Sequence, residues 1–528
     1  MTVLAAERGS VRLTNPLRNK AFAPVLGVVL LLVLWQVAAA LASGRHVVPP
    51  PFDVVRTLVQ DRFYGASLRT TAWEGLRGYV WGNLVAFLLA VVCVLVPPLQ
   101  SLLTRLAVAT YCTPTIAIGP LLIVLLSADT TKVIMSALSV FFLTLLGVLL
   151  GLASTPQTAL DLVHVSGGSR VFALLRVRLR SAVPATATAL SLAAPAALLG
   201  AMIGEYLGGD RGLGVVMVQA QQSLQVSRTW AVALLATGLS TVVYLGTSRL
   251  ARLLSFEVTV TDLAATPKAA RSKGSSLLAL AKAVAAVLVV LLAWELLVRG
   301  TGLDPYIAKT PGDVWGYLTS GTDAASHRHL VLSNLGTTLR DAGVGYAAGT
   351  LVAVLLAAVF LTSPLVEGMF LPVVLALRSV PLVAMTPLVA LVFGRGLLGV
   401  TVLAGAITLV PTLVNVVGAL RAVPKPATDL LHAYAVGTVR GLLTVRFVYA
   451  VPALATSARI AVPGALLGAV LAELLATGSG LGQMLAVATI NGDFLALWAG
   501  VAVLTAVSVV CYAALSALES AALQRLGR

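Results

Sequence analysis

The stretch Asp161-Leu162-Val163-His164 returns as Asp429-Leu430-Leu431-His432, 268 positions further on. The same offset, held within one residue, pairs Arg178 with Arg446, Pro184 with Pro452, Glu205 with Glu473, Gly212 with Gly480 and Gly214 with Gly482. Upstream it pairs Pro156 with Pro424, Pro120 with Pro387, Tyr79 with Tyr346 and Gly82 with Gly349. Scattered hydrophobic likeness drifts in register over a hundred positions, and these pairs do not. The chain therefore carries one module twice, and a duplicated module in a membrane implies a pathway between two pseudo-equivalent halves.

Composition places that module in lipid. Of the 528 residues, 59% are hydrophobic and 11% charged, with mean hydropathy +0.98, whereas soluble domains carry about 25% charge. The net charge of +16 raises nucleic acid as a partner. The basic residues, however, sit at the ends of apolar runs and not on a polar domain, so they read as topology signals and no nucleic-acid partner is expected. Cys93, Cys112 and Cys511 all fall inside apolar stretches and read as packing residues, with no disulfide or metal spacing. The N-terminus imitates a signal peptide, but the apolar run from Ala21 to Ala42 is long enough to span, and its counterpart near Leu277–Leu297 is internal. Trp35 and Trp294 occupy similar places in the two runs, so the first is read as a retained helix.

At about 20 apolar residues per span, the first half offers spans near 22–43, 76–97, 103–127, 131–153, 183–206 and 229–250. The second offers 276–298, 343–363, 368–394, 397–420, 451–475 and 495–518. The reading is an all-α polytopic membrane protein: a first domain over 1–253, a polar linker over 254–275 and a second domain over 276–528. Six spans per half return the chain to its starting side, so the halves share one orientation and a pseudo-twofold axis along the membrane normal. With both termini cytoplasmic, the inner segments hold about 21 of the 36 basic residues and about 7 of the 20 acids. The outer segments hold about 13 of each, a bias that fits this topology. Gly78 with Gly82, and Gly345 with Gly349, place small residues one turn apart in the second span of each half, where another helix can approach closely.

The segment between the fourth and fifth spans carries the functional reading. It runs Thr155-Pro156-Gln157-Thr158-Ala159-Leu160-Asp161-Leu162-Val163-His164-Val165-Ser166-Gly167-Gly168-Ser169-Arg170 and on to Pro184. This resembles the coupling loop of ATP-binding-cassette (ABC) importer permeases of the nitrate/sulfonate/taurine type: an acid, a Gly six positions later and a Pro seventeen after that. Asp161, Gly167 and Pro184 match, and the resemblance covers nearly the whole chain twice. It includes Gly212-Leu213-Gly214 and Gly480-Leu481-Gly482, the preceding Glu205 and Glu473, and the segments Pro49-Pro50-Pro51-Phe52-Asp53 and Thr310-Pro311-Gly312-Asp313. There are departures. Asp replaces the usual Glu, and Leu-Val or Leu-Leu replaces Ala-Ala. Arg180 and Val448 replace a first Pro. The register puts Ala435 at the second loop's glycine position, with Gly437 two residues late.

The resemblance implies the type I ABC importer fold with both permease domains in one chain. It further implies a cytoplasmic ATPase dimer that binds ATP and Mg, and an extracytoplasmic solute-binding protein. Asp161, His164, Gly167, Gly168, Arg170 and Pro184, with Asp429, His432, Gly437, Arg440 and Pro452, are the expected ATPase-coupling residues. Physically, a short amphipathic helix outside the bilayer suits a groove on a soluble partner, the glycine permits the turn after it, and proline suits the start of the next span. Gly212, Gly214, Gly480 and Gly482 are candidates for docking the binding protein. Glu205, Glu473, Pro120 and Pro387 are candidates for the pathway or its outer gate. Arg378 and Arg459 lie within spans where Tyr111 and Ser191 stand in the first half, and similar arginines occur in the family. Either they face the pathway and favour an anionic solute, or they pair locally or snorkel to the surface.

Two motifs are decoys. Val165-Ser166-Gly167-Gly168-Ser169 imitates an ATPase signature, but the chain has no G-x-x-x-x-G-K-[ST] to cradle phosphates. Gly394-Arg395-Gly396-Leu397-Leu398-Gly399 fits G-x-G-x-x-G only as a turn between spans. His327-Arg328-His329 reads as a solvated loop, and no catalytic constellation, cofactor or metal site is expected in this chain. The rival reading is an ion-gradient-driven secondary transporter with two parallel six-helix halves, which predicts mid-span carboxylates. For the solute, the family resemblance allows nitrate, sulfonates, taurine and vitamin precursors.

Overall fold

The computed structural model describes residues 22–45, 47–60, 64–254, 276–300, 302–377 and 380–525. Every regular element among them is helical, and apart from a short 3-10 turn at Ser43–Arg45 the helices form two sets of ten in one order. The first set is α1 (Phe22–Leu41), α2 (Pro51–Gln60), α3 (Tyr64–Leu95), α4 (Pro97–Cys112), α5 (Thr115–Leu125), α6 (Ala128–Ala153), α7 (Gln157–Val165), α8 (Arg170–Gly208), α9 (Leu213–Gln222) and α10 (Val226–Leu254). The second is α11 (Ser276–Gly300), α12 (Pro311–Thr319), α13 (Ala324–Thr362), α14 (Pro364–Leu377), α15 (Leu382–Phe393), α16 (Leu397–Arg421), α17 (Lys425–Ala433), α18 (Val439–Leu475), α19 (Gly480–Asn491) and α20 (Phe494–Arg525). The expected linker lies outside the described residues beyond Leu254.

Among the described residues eight helices are long and apolar enough to cross a membrane, and a bent pair, α4 with α5, is a ninth. The third candidate span of each half, 103–127 and 368–394, is interrupted. Over 103–127 the chain turns by 92° between Cys112 and Thr115. The cause is Pro114: it pushes Thr113 into extended backbone, φ −78° and ψ 116°, since the ring of a proline disfavours helical geometry in the residue before it. The second half repeats the break between α14 and α15 at Pro381, which caps α15. Boundaries shift elsewhere too. The fifth spans begin at Arg170 and Val439 and include Pro184 and Pro452 as interior residues, so these prolines do not start the span. Each follows a five-residue π-helical stretch, Leu174–Arg178 or Leu442–Arg446.

The broken third segments tie the halves together. Packed around α5 are α18, α19 and α20 of the other half, while α15 packs reciprocally against α8, α9 and α10. One buried core joins Ile116, Ala117 and Leu121 to Val470, Leu471, Leu481 and Leu485. A second joins Ala384 to Met202, Leu213 and Met217. The first helices cross over as well, α1 onto α14 and α11 onto α4. Paired tryptophans fix them: Trp35 stacks on Trp230 with ring centroids 5.4 Å apart, and Trp294 on Trp498 at 5.2 Å. The indole N–H groups donate to carbonyls of the segments leading into α2 and α12, Trp35 to Pro49 and Trp294 to Lys309.

Within each half the small residues do what their spacing implies. A Cβ on Gly78 would strike the Ser136 side chain, and one on Gly82 would lie 2.6 Å from the Ala137 carbonyl of α6. In α13, Gly345 meets Ala404 and Gly349 meets Gly405 and Thr408 of α16 in the same way. Gly343, two residues before Gly345, faces open space. Gly78→Leu should therefore destabilise the detergent-purified chain by about 2–3 kcal/mol, while Gly343→Ala should be neutral or stabilising by up to about 1 kcal/mol. Thermal unfolding followed by a thiol-reactive dye checks the contrast.

Candidate functional site

The recurring interspan loop is a pair of helices around one sharp turn. On α7, Leu160 and Val163 point inward and pack with Ala173 and Val177 of α8. Leu162 and Val165 of the same helix are 69% and 86% exposed, and Asp161, His164 and Arg170 are exposed beside them. The helix closes with a Schellman cap: Gly168 N–H donates to the Val163 carbonyl at 2.8 Å and Gly167 N–H to that of His164 at 3.0 Å. Gly167 sits at φ +74°, which its missing Cβ permits. The next helix starts on Ser169, whose hydroxyl accepts from Phe172 N–H at 3.2 Å.

The second loop repeats the shape with poorer parts. Val436 N–H donates to the Leu431 carbonyl at 2.9 Å, and Ala435 occupies the left-handed position at φ +47°. The sequence register placed Ala435 there, and its backbone adopts the geometry despite its Cβ, at a cost of about 1–2 kcal/mol. Gly437 is not the turn residue: it falls where Ser169 stands in the first loop, and this corrects its place among the coupling glycines. Asp429 and Arg440 are exposed, matching Asp161 and the basic end of the first loop. His432 lies on α17, with its side chain outside the described residues.

At the opposite ends of α8 and α18 stands a clamp. Thr71 donates its hydroxyl to Glu205 Oε1 at 2.6 Å, and Gly214 N–H donates to Oε2 at 2.7 Å. Leu213 N–H donates to the Thr71 hydroxyl oxygen at 2.9 Å. The second half is equivalent: Thr338 and Gly482 donate to Glu473 Oε2 at 2.8 and 2.9 Å, and Leu481 N–H to Thr338 at 2.9 Å. Both glutamates and both threonines are fully buried. Gly212 and Gly480, at φ +119° and +89°, wrap so closely around the carboxylates that a Cβ would collide with them. Glu205, Glu473 and the Gly-Leu-Gly glycines thus meet in one buried turn in each half.

Sequence reading missed the neighbouring charge cluster. Lys132 of α6 is 1% exposed, and its ammonium lies 3.0 Å from Glu74, 3.3 Å from Asp129 and 3.3 Å from Asp210. It binds α3, its own helix and the loop after α8. Asp210, outside the spans, is held below the usual carboxylate range by its own backbone N–H and then by Lys132. The second half has no such lysine. There Asp341 pairs with its chain neighbour Arg340 at 2.9 Å, and the Arg340 side chain is 65% exposed.

Arg459 is buried and pairs with Glu519 of α20 at 3.2 Å, with the Tyr512 ring 5.8 Å away. Glu519 also accepts from Thr456 at 2.6 Å. Arg378 lies outside the described residues. Tyr111, its first-half counterpart, crosses between halves to donate to the Ile460 carbonyl at 2.7 Å. Pro120 and Pro387 are buried within α5 and α15, the segments inserted between the halves. His327 stacks on Tyr317 with ring centroids 3.9 Å apart.

Lys132→Met should destabilise by about 3–5 kcal/mol, because it strands the buried Glu74. Arg340→Met removes a cation that is itself solvated but also leaves the buried Asp341 without it, and should cost less, about 1–2 kcal/mol. Urea or thermal melts of the two variants side by side measure the difference, and equal losses would show that the first half's cluster is not the stronger tie.

Comparison with known proteins places this geometry. The domain described as "Binding-protein-dependent transport system inner membrane component" matches twice, at residues 82–259 and 349–527. A probable ABC transporter permease protein of Haemophilus influenzae is 33% identical over 227 residues, covering 42% of this chain and 91% of that protein. The formylaminopyrimidine transport permease protein of Halalkalibacterium halodurans is 26% identical, covering 37% of this chain and 79% of its own length. The riboflavin transport system permease protein of Chloroflexus aurantiacus is 27% identical, covering 37% and 76%. Each relative thus fits largely within less than half of this chain. No solved structure matches.

Proposed function

The chain belongs to the binding-protein-dependent transport inner membrane component family, with the family's domain present twice, and from that premise we propose that it is the complete membrane part of an ABC importer. The two halves enclose the solute pathway. The loops Gln157–Arg170 and Lys425–Arg440 face the cytoplasm, as do both termini, and take up a pair of cytoplasmic ATPases that bind and hydrolyse ATP with Mg. A solute-binding protein delivers from the other side. The observation that carries this reading is the recurrence of an exposed amphipathic helix and Schellman-type turn at equivalent places in both halves.

The geometry supports a mechanical route. From each loop, α8 or α18 rises as one rod of 39 or 37 residues, about 55–58 Å at 1.5 Å per residue. The rod ends in the Glu205 or Glu473 clamp, and it packs on the inserted helix of the other half, α15 against α8 and α5 against α18. A push on either loop therefore reaches the seam between the halves. Closure of the ATPases on ATP drives the loops together and turns the pathway outward, and hydrolysis releases it. All nucleotide chemistry belongs to the partner.

For the solute we favour a small heterocyclic vitamin or vitamin precursor. Two relatives are named for formylaminopyrimidine and riboflavin transport. The case for an anion weakens because Arg459, its described cation, is already neutralised by Glu519.

Asp161→Lys together with Asp429→Lys should cut recovery of the co-purifying ATPase at least about tenfold. Because both positions are exposed, the melting transition should stay within about 0.5 kcal/mol of wild type. Affinity purification from a strain expressing the whole transporter, followed by melts, reads both. Full ATPase recovery by the double variant would remove the coupling assignment.

A further inference from the structure

We propose that the two loops grip their ATPases unequally, the first tightly and the second weakly; this rests on the coupling reading above. The loops share a register but not their chemistry. In the first, Gly167 takes the left-handed turn without strain and Ser169 caps the following helix. In the second, Ala435 holds φ +47°, and Gly437, at the position of Ser169, has no side chain to offer as a cap. A turn that is strained and uncapped on its own must be ordered when a partner seats on it, and that ordering is subtracted from affinity.

The exposed faces differ as well. The first loop presents Leu162, Val165, Phe172 and Leu175, with Phe172 half exposed on the first turn of α8. Arg440 replaces Phe172 in the second loop, and the aromatic anchor moves to Tyr434, on the strained turn itself. Arg170 and Arg176 flank the first face, whereas the second loop carries its cations at Lys425 and Arg440, the positions of Gln157 and Phe172. The occupant the first loop fits is an ATPase groove with an apolar floor and a carboxylate rim, which gives buried area and charge complementarity together. The second loop offers the same ATPase surface its cations at other positions, one of them where the first loop has its aromatic ring, and an anchor on an unsettled turn.

The test is a hydrogen-exchange titration of the full chain in lipid nanodiscs. The probe is the ATPase that co-purifies with it, added without nucleotide so that the ATPases do not pair. Protection of peptides covering 157–176 and 425–444 is followed against ATPase concentration. The expected midpoint for the first loop is lower by about tenfold. Ala435→Gly combined with Gly437→Ser should lower the second midpoint by about fivefold and leave the first in place. Equal midpoints, a lower midpoint for the second loop, or a second midpoint unmoved by the double variant would overturn the proposal while leaving the coupling reading intact. No protection of either loop at saturating ATPase would remove both.

Discussion

A carboxylate buried at the far end of each long rod holds this molecule's architecture. Where α8 ends and α9 turns back, the N–H groups of Leu213 and Gly214 leave the helical ladder inside a packed, water-poor environment, in which an unsatisfied donor costs several kcal/mol. Glu205, with Thr71 as relay, meets that demand, and Glu473 with Thr338 does so in the second half. The Gly-Leu-Gly turn exists because only glycine allows the backbone to close around the carboxylate. The clamp ties the end of the long helix, the turn and the helix after it to one another.

Around that pair of clamps the halves are alike in outline and unlike in detail. The first half has its far corner cross-linked through Lys132 to three segments, while in the second, among the described residues, the buried Asp341 pairs only with its exposed chain neighbour Arg340. The first half's loop is well capped, and the second's turns on an alanine. Among the described residues the second half buries an arginine ion pair, Arg459 with Glu519, and the first half's Tyr111 donates to the Ile460 carbonyl beside it. A duplicated module whose copies no longer need to be identical in one chain is free to specialise in this way.

Much of this was legible in the sequence. The offset of the repeat, the long helices and the glycine pairs at Gly78/Gly82 and Gly345/Gly349 follow from periodicity and local sterics. The register even placed Ala435 at the turn. The break in the third spans was harder, because a hydropathy window adds up side chains and is blind to backbone direction. The signal was there as Pro114 and Pro381 at the repeat's offset, inside otherwise continuous apolar runs. The clamp and the Lys132 cluster were not legible, for their partners lie 134, 58 and 78 residues apart in the chain and meet only through packing. Glu205 read alone is an acid near a surface; only its contacts show it to be internal.

The central claim is that the loops drive the far side through rigid rods. The most direct measurement is a pair of spin-label distances in the complex with its ATPases. One is set by Val165→Cys with Tyr434→Cys on the loops, the other by Arg211→Cys with Gly478→Cys beside the clamps. Trapping ATP with a hydrolysis-deficient ATPase should shorten the loop distance and lengthen the far-side distance in the same molecules. A loop distance that shortens while the far side stays fixed would contradict the account.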